Sequence, residues 1–594
     1  MPYLYNKYKN ILRLSIFVFC GFALYRGFFS ESSWARSSLS KGQSPDFRLV
    51  DVTISSGVDF IHQQQGTMPM YKNIEPWVTS QGSSVAVVDI NNDDYPDIYL
   101  TSTKFQTENK LFINQKDGTF KNEAQAYNLA DVNKNAATLR SLFFDCDNDG
   151  DQEVLILTEG CPHLYKKSKK TQKFEFIGFN SPPISCVPSV SANIIDYNAD
   201  GLLDIIYSGT TGDSFGKSYG YLPMGFVSAN NGGGTFVFKN QGRCQFESVQ
   251  ILDRQKESLF TNAIGVGDFR GINSQDIWFA TDFNSDRNYM KVNSEKFEYS
   301  KNMIEPSLAK SGMSAEHAFL GDDVVPNVFV AHVFRKGYAP YGNNLWQYNG
   351  ENFVDRAPKL GIQDCAWAWG AKFVDMNNDG FSDLYVANGF FSNEAQTKTT
   401  KDYWYLFGVV TTAPRSLTPN SKKWPNMTGT QLSGEDRDCV FINDKNNKFY
   451  DAAELFDTDS KKLNGRGVAS LDIKSDGNMG LVITNQKNKA YVYQSVQNNT
   501  NNWIGIKLIG SKSNRDAVGA KVRVYTNKEI PVKFLTAEVA PYNGYVSQSD
   551  SRLHFGLGQM PGDKVDIDIN WPSGNFQKVS GLRINEYHKI SEVQ

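Results

Sequence analysis

From Val85 onward the chain repeats one pattern: a short apolar, β-prone run, an acidic loop, and another such run. Val85-Ala-Val-Val88, Leu142-Phe-Phe144, Ala192-Asn-Ile-Ile195 and Lys372-Phe-Val374 lead into four of the loops. Ile98-Tyr-Leu100, Val154-Leu-Ile-Leu157, Ile205-Ile-Tyr207 and Leu384-Tyr-Val386 lead out of them. Period-two runs rich in β-branched and aromatic residues predict strands, so each strand, loop and strand predicts a hairpin. A second hairpin signal, apolar and aromatic residues followed by Asn, Gly or Asn, and Phe, recurs at Leu111–Phe120, Leu345–Phe353 and Val440–Phe449, with a looser copy over Gly234–Phe246. Two hairpins per repeat make four strands, the unit of a propeller blade.

The acidic loops share one register. Counting from the first aspartate, positions 1, 3, 5, 7 and 9 are Asp89, Asn91, Asp93, Tyr95 and Asp97 in the first loop, and Asp145, Asp147, Asp149, Asp151 and Glu153 in the second. They are Asp196, Asn198, Asp200, Leu202 and Asp204 in the third, and Asp375, Asn377, Asp379, Phe381 and Asp383 in the most complete copy. Oxygen side chains at positions 1, 3, 5 and 9, with the carbonyl of position 7, suit a hard cation such as Ca2+, water completing six or seven ligands. Gly150, Gly201 and Gly380 at position 6 supply the left-handed turn that folds the oxygens inward. The first loop has Asp94 there, at some conformational cost. Solvated Asx turns are the simpler alternative, but they do not require carboxylates at four fixed offsets. An EF-hand is excluded because its bidentate Glu at position 12 is replaced by Leu100, Ile156, Tyr207 or Val386. A dockerin-type loop is excluded because strand patterning, not an amphipathic helix, follows.

Weaker copies start at Asp268, Asp322 and Asp472. In the last, Lys474 holds position 3 and Gly480 position 9, so no metal is expected and the Lys474 ammonium is expected to stand in for the ion. Seven loop starts, about 50 to 70 residues apart except across an insertion near 389–436, predict an all-β, seven-bladed β-propeller over 46–498. The early run Phe47–Ile54 is the expected closing strand, and a small all-β domain is expected over 499–594.

Lys7, Lys9 and Arg13 precede the apolar run Leu14–Tyr25, so 1–45 reads as a signal peptide or an uncleaved signal anchor followed by a linker. The remainder is then exported: secreted, periplasmic or at the cell surface, with membrane contact only through an uncleaved N-terminal segment. A net charge of −3 over 594 residues, without a basic stripe, gives no case for nucleic acid. Six cysteines outside the leader, none in a CxxC pair, fit an oxidising compartment and argue against thiol redox chemistry or a zinc ribbon.

The loops and hairpins resemble the FG-GAP and VCBS repeats of integrin α-type propellers across roughly 47–497. Beyond residue 500, Trp503-Ile-Gly-Ile-Lys-Leu508, Ser513-Asn-Arg-Asp516-Ala-Val-Gly519, Gly544-Tyr-Val-Ser-Gln548, Leu553-His-Phe-Gly-Leu-Gly558 and Trp571-Pro-Ser-Gly574 look like an ASPIC/UnbV domain. The whole order resembles the cartilage acidic protein 1-like family. That resemblance implies a calcium-stabilised binding or adhesion module whose partner is an extracellular or envelope protein or glycan. An enzyme or biosynthetic accessory protein using a propeller face, with the 389–436 insertion as a candidate cover, and a purely structural surface protein are the alternatives.

Catalytic motifs are thin. Gly216-Lys-Ser218-Tyr-Gly220 matches G-x-S-x-G but lacks the strand-to-helix turn that exposes such a serine. Thr211–Ser218 is one residue from a phosphate loop and has no following helix. The six histidines show neither H-x-E nor HExxH spacing, and His554 is expected to pack or hydrogen-bond. Trp367 and Trp369 read as strand core rather than the lining of a ligand face, and Arg515-Asp516 as an internal ion pair rather than a partner contact. No catalytic residue and no organic cofactor is assigned.

Overall fold

A computed structural model describes residues 46–593 except 67–68, 135, 180–186, 211–222, 224–227, 251–257, 294–295, 335–340, 392–425, 428–432, 435, 447, 457, 459–462 and 528–532. The leader and linker, the Gly216–Gly220 motif, the near-phosphate loop and nearly all of the 389–436 insertion lie outside the described residues.

Seven antiparallel sheets follow one another along the chain, each strand pairing with the next in sequence. The first comprises Val85–Val88, Asp97–Leu100, Lys110–Asn114 and Phe120–Asn122. The second comprises Thr138–Phe144, Glu153–Thr158, His163–Lys167 and Phe174–Phe176. The third comprises Ser191–Ile195, Asp204–Ser208, Thr235–Asn240 and Phe246–Gln250, and the fourth Phe260–Gly267, Asp276–Asp282, Arg287–Lys291 and Phe297–Tyr299. Ser314–Ala318, Asn327–Ala331, Asn344–Tyr348 and Phe353–Asp355 form the fifth, and Ala368–Val374, Asp383–Asn388, Cys439–Asn443 and Phe449–Asp451 the sixth. Gly465–Asp472, Met479–Asn485 and Tyr491–Gln497 supply three strands of the seventh. Its fourth strand is Phe47–Asp51 from the other end of the chain, antiparallel to Tyr491–Gln497 with Phe47 opposite Gln497.

Burial falls from the first strand of a sheet to the fourth. In the second sheet Thr138–Phe144 is buried throughout, whereas in Phe174–Phe176 only Phe174 is buried. Strands sandwiched on both faces must be apolar nearly throughout, which is why the inner runs do not alternate cleanly. The layers between sheets are Val88, Tyr99, Phe143 and Val154 for the first pair, and Phe144, Leu155, Ile194 and Phe236 for the next. Val85, Val87 and Ile98 of the first sheet also pack on Leu471, Val482 and Val492 of the seventh.

The C-terminal block, from Asn502, holds a three-stranded sheet (Leu553–Gly558, Asn502–Ile509, Tyr587–Ser591) and a four-stranded one (Lys533–Glu538, Lys521–Asn527, Lys564–Asn570, Phe576–Arg583). Between Lys533–Glu538 and Leu553–Gly558 the chain leaves the block, and its 542–549 segment touches the first strand of every one of the seven sheets. The Arg140 guanidinium donates to Tyr542 O (2.7 Å) and Ser547 O (3.1 Å). Asn543 bonds Asn193 (2.8 Å), Val266 (2.9 Å) and His317 Nδ1 (2.8 Å), and Gly544 N donates to Ala315 O. Tyr545 packs on Trp369, Ser547–Gln548 pairs in parallel with Val85–Ala86, and Ser470 N donates to Ser549 Oγ. Trp367 and Trp369 are buried, both stacked on Phe390, as core.

Candidate metal-loop face

The acidic loops join first to second strands, so the fold gathers them on one face. Each folds around its own position 1. Asp375 accepts the amides of Asp379 (3.2 Å) and Gly380 (2.8 Å), and Asp89, Asp145, Asp196 and Asp472 repeat the same bonds in their loops. Position 5 accepts the position-7 amide, as in Asp379 with Phe381 (2.9 Å). Position 9 is fixed by the position-2 amide and, in three loops, by the third strand: Asp97 by Ile90 and Asn114, Asp204 by Tyr197 and Asn240, Asp383 by Met376 and Asn443. Glu153 takes that place in the second loop through Cys146 N.

This arrangement buries acid. Burial raises Asp375 to about 8, with repulsion from Asp379 adding to it, and raises Asp383 well above the carboxylate range. Burial likewise raises Asp97, Asp145 and Asp204 to about 7, Asp196 to about 6 and Glu153 to about 9. Among the described residues, three buried oxygens at the loops' odd-numbered positions have no hydrogen-bond partner: Asp147 Oδ1, Glu153 Oε1 and Asn198 Oδ1. Carboxylate oxygens of Asp145, Asp147 and Glu153 lie within 4.8 Å of one another. Unpartnered oxygens beside buried carboxyls form a cluster whose chemistry would suit a divalent cation. Side-chain ammoniums approach the same places: Lys166 contacts Asp147, Asp149 (3.5 Å) and Glu153 (3.7 Å), and Lys445 lies 3.3 Å from Asp379.

The weak copies are neutralised differently. In the fourth loop Arg270, at position 3, makes two 2.8 Å bonds to Asp276 at position 9, and Lys521 pairs with Asp268. In the fifth, Arg356 lies 3.3 Å from Asp323 and donates to Asn327 Oδ1. Basic side chains of the chain therefore do meet loop carboxylates, but not at Asp472 through Lys474 as expected. Lys474 instead runs to the neighbouring sheet, its end against Gly118, and Asp472 is met by the Tyr587 hydroxyl at 3.0 Å.

Two sets of residues escaped sequence reading. Asn at position 4, in the left-handed region near φ +58°, reaches the position-6 carbonyl of the next loop: Asn92 to Gly150 (3.3 Å), Asn148 to Gly201 (3.0 Å), Asn378 to Gly477 (3.0 Å). Ser475 in the seventh loop is too short, and Arg552 bridges instead, bonding Ser475 Oγ and Asp94 O, each at 2.9 Å. The third strand meanwhile donates to the position-2 carbonyl of the preceding sheet: Asn114 to Ile473, Lys167 to Ile90, Asn240 to Cys146, Ser495 to Met376. The recurrence of Asn at position 4 was the available signal. Arg515 and Asp516 were expected to pair internally, yet they face the second loop: Arg515 N donates to Asn148 Oδ1 and Asp516 accepts Asp145 N, both at 2.8 Å. His554 stacks on Trp503 and bonds Asn378 Oδ1 at 2.6 Å, as its packing role required.

Comparison with known proteins agrees with this geometry. Residues 510–594 match the ASPIC and UnbV model and 89–156 the FG-GAP-like repeat model. Cartilage acidic protein 1 of Mus musculus is 22% identical over 495 residues, covering 76% of this chain and 72% of that protein. The Xenopus tropicalis protein of that name is 24% identical over 262 residues, 39% of this chain and 38% of its own length. Solved structures overlap only loosely. An Agrocybe aegerita lectin specific for terminal N-acetylglucosamine has a TM-score of 0.36 at 13% identity, covering 62% of this chain and 79% of its own. The BP39L lectin of Burkholderia pseudomallei has 0.39 at 9%, covering 70% and 96%. The chain is thus similar at family level to FG-GAP/VCBS-repeat and ASPIC/UnbV proteins, and is a distant homologue of cartilage acidic protein 1.

Proposed function

We propose that this chain is an exported, calcium-stabilised seven-bladed β-propeller, residues 46–498, joined to an ASPIC/UnbV-like β domain, 499–594, and that it works as an extracellular or cell-surface binding or adhesion module. The unpartnered oxygens of the second and third loops, with the carboxylate cluster of Asp145, Asp147 and Glu153, carry the calcium reading. Asp, Asn and Glu side chains at positions 1, 3, 5 and 9 would hold the ions, with Tyr95, Asp151, Leu202 and Phe381 giving carbonyls. The ions would neutralise buried acid and so stabilise the fold.

Closure of the ring is supported by the pairing of Phe47–Asp51 with the last strand and by the apolar layer between the seventh and first sheets. The donation of Asn114 to Ile473 O across the same seam agrees with it. Export is supported by disulfides Cys146–Cys244 and Cys365–Cys439, which persist in oxidising compartments. Among the described residues no helix is long and apolar enough to cross a membrane. Similarity to cartilage acidic protein 1 supports a matrix or envelope protein or glycan as partner.

Arrays of matrix proteins and glycans probed with the exported portion in millimolar calcium should show saturable binding that survives substitution outside the loops facing the partner. Turnover of glycans or small esters, with no such binding, would overturn the module reading.

A further inference from the structure

The position-6 residue of five loops faces the C-terminal block. A Cβ added at Gly150 would lie 3.1 Å from Arg515 Nε, at Gly201 2.7 Å from Lys512 O, at Gly380 3.3 Å from Gly556 O, and at Gly477 2.2 Å from the Trp503 ring. In these loops glycine serves the turn and also lets the block settle directly on the loop.

Of these five loops the first alone has a side chain there. Asp94 adopts the left-handed backbone with φ +68°, and its carboxylate takes Lys507 at 2.8 Å and Lys589 at 3.3 Å. Its carbonyl accepts Arg552. Lys507 also lies 3.2 Å from Asp89 Oδ2, the position-1 carboxylate. One ammonium is therefore shared between a carboxylate that the ion needs and one that it does not. A cavity of about 140 Å³, lined by Asp89, Asp94, Asp145, Lys507, Arg515 and Arg552, separates the loops from the block here.

We propose that Asp94 is the charged anchor of the C-terminal block on the first loop, and that it draws Lys507 off Asp89 so that the ion and the docked block share the site. The proposal rests on the calcium reading above. Lys507 is three-quarters covered, so it cannot simply swing into water when an ion takes Asp89. Asp94 gives it a second partner, and without Asp94 the ammonium competes with the ion for Asp89. Asp94 is then not a worn glycine, and restoring the glycine has the opposite sign from what loop geometry alone demands.

Calcium titration calorimetry on the exported portion tests this, with Asp89→Ala defining the first-loop contribution, alongside hydrogen exchange of strand Asn502–Ile509. Asp94→Gly should weaken first-loop calcium binding about 2- to 5-fold and lower protection of that strand, the size expected for a partly exposed ion pair. Lys507→Met should tighten the binding, and the double variant should lose most of the Asp94→Gly defect. Tighter or unchanged binding in Asp94→Gly with unchanged protection would overturn the proposal. If the wild type binds no calcium, the calcium reading fails by itself. The anchor then stands on protection alone: loss in Asp94→Gly supports it, and no loss overturns it.

Discussion

Asp375 shows what a cation would relieve in a loop of this kind. Its carboxyl is raised from 3.8 to about 8 because burial penalises the charged form and Asp379 repels it. The ion-free folded protein therefore holds this proton more tightly than the unfolded chain. That contribution is fully present below about pH 4 and is lost as pH rises through 8. Asp383 acts in the same direction. In EDTA the melting temperature should fall between pH 6 and 8.5, while the increment given by calcium should grow over the same window, because protons and ion compete for the same oxygens. Melting curves at three pH values, with and without calcium, check this. Arg270 is the contrasting case. Arg270→Met strands Asp276, a fully buried carboxylate, and should cost about 2–3 kcal/mol, discounted from a fully buried pair. Calcium should not restore that loss, and denaturant midpoints measured with and without the ion decide it.

At the scale of elements, the segment inserted among the first strands is held by buried Tyr542, Tyr545 and Val546 together with polar bonds of which Asn543 is the hub. Asn543→Ala leaves Asn193 and the Val266 backbone groups without that partner, and should cost about 2–3 kcal/mol by urea unfolding. Such a segment was not legible beforehand. Pro541-Tyr-Asn-Gly544 reads as a surface turn, and only the distant strands reveal that Asn543 and Tyr545 are buried. The hairpins were legible because their signals are local: a short apolar, β-prone run, a loop at fixed offsets, a glycine where φ is positive. The turn geometry of the loops, with position 1 accepting the position-5 and position-6 amides, was legible for the same reason. Lys474 was misplaced because its reach to Gly118 depends on which sheet lies alongside, and Arg270 was passed over because a guanidinium at position 3 looks like decay until Asp276 is seen beside it.

For the whole molecule, the C-terminal block both covers the acidic loops and sends a segment between the sheets. The two parts should therefore unfold together. Calorimetry on the exported portion should give one cooperative transition, and ending the chain at residue 498 should abolish it, because Arg140 and Asn193 lose buried partners at the same time. Two independent transitions would mean that the block folds apart from the sheets.

Calcium as a fixed fastening is the centre of this account. Extracellular sites with dissociation constants of about 10⁻⁴ to 10⁻³ M would each add roughly 0.4–1.4 kcal/mol at millimolar calcium. The direct measurement is the melting temperature of the exported portion, wild type and Asp375→Ala, in millimolar calcium and in excess EDTA. The wild type should melt several degrees higher in calcium, and Asp375→Ala should lose part of that increment. An unchanged melting temperature between calcium and EDTA, with no effect of Asp375→Ala, would contradict it.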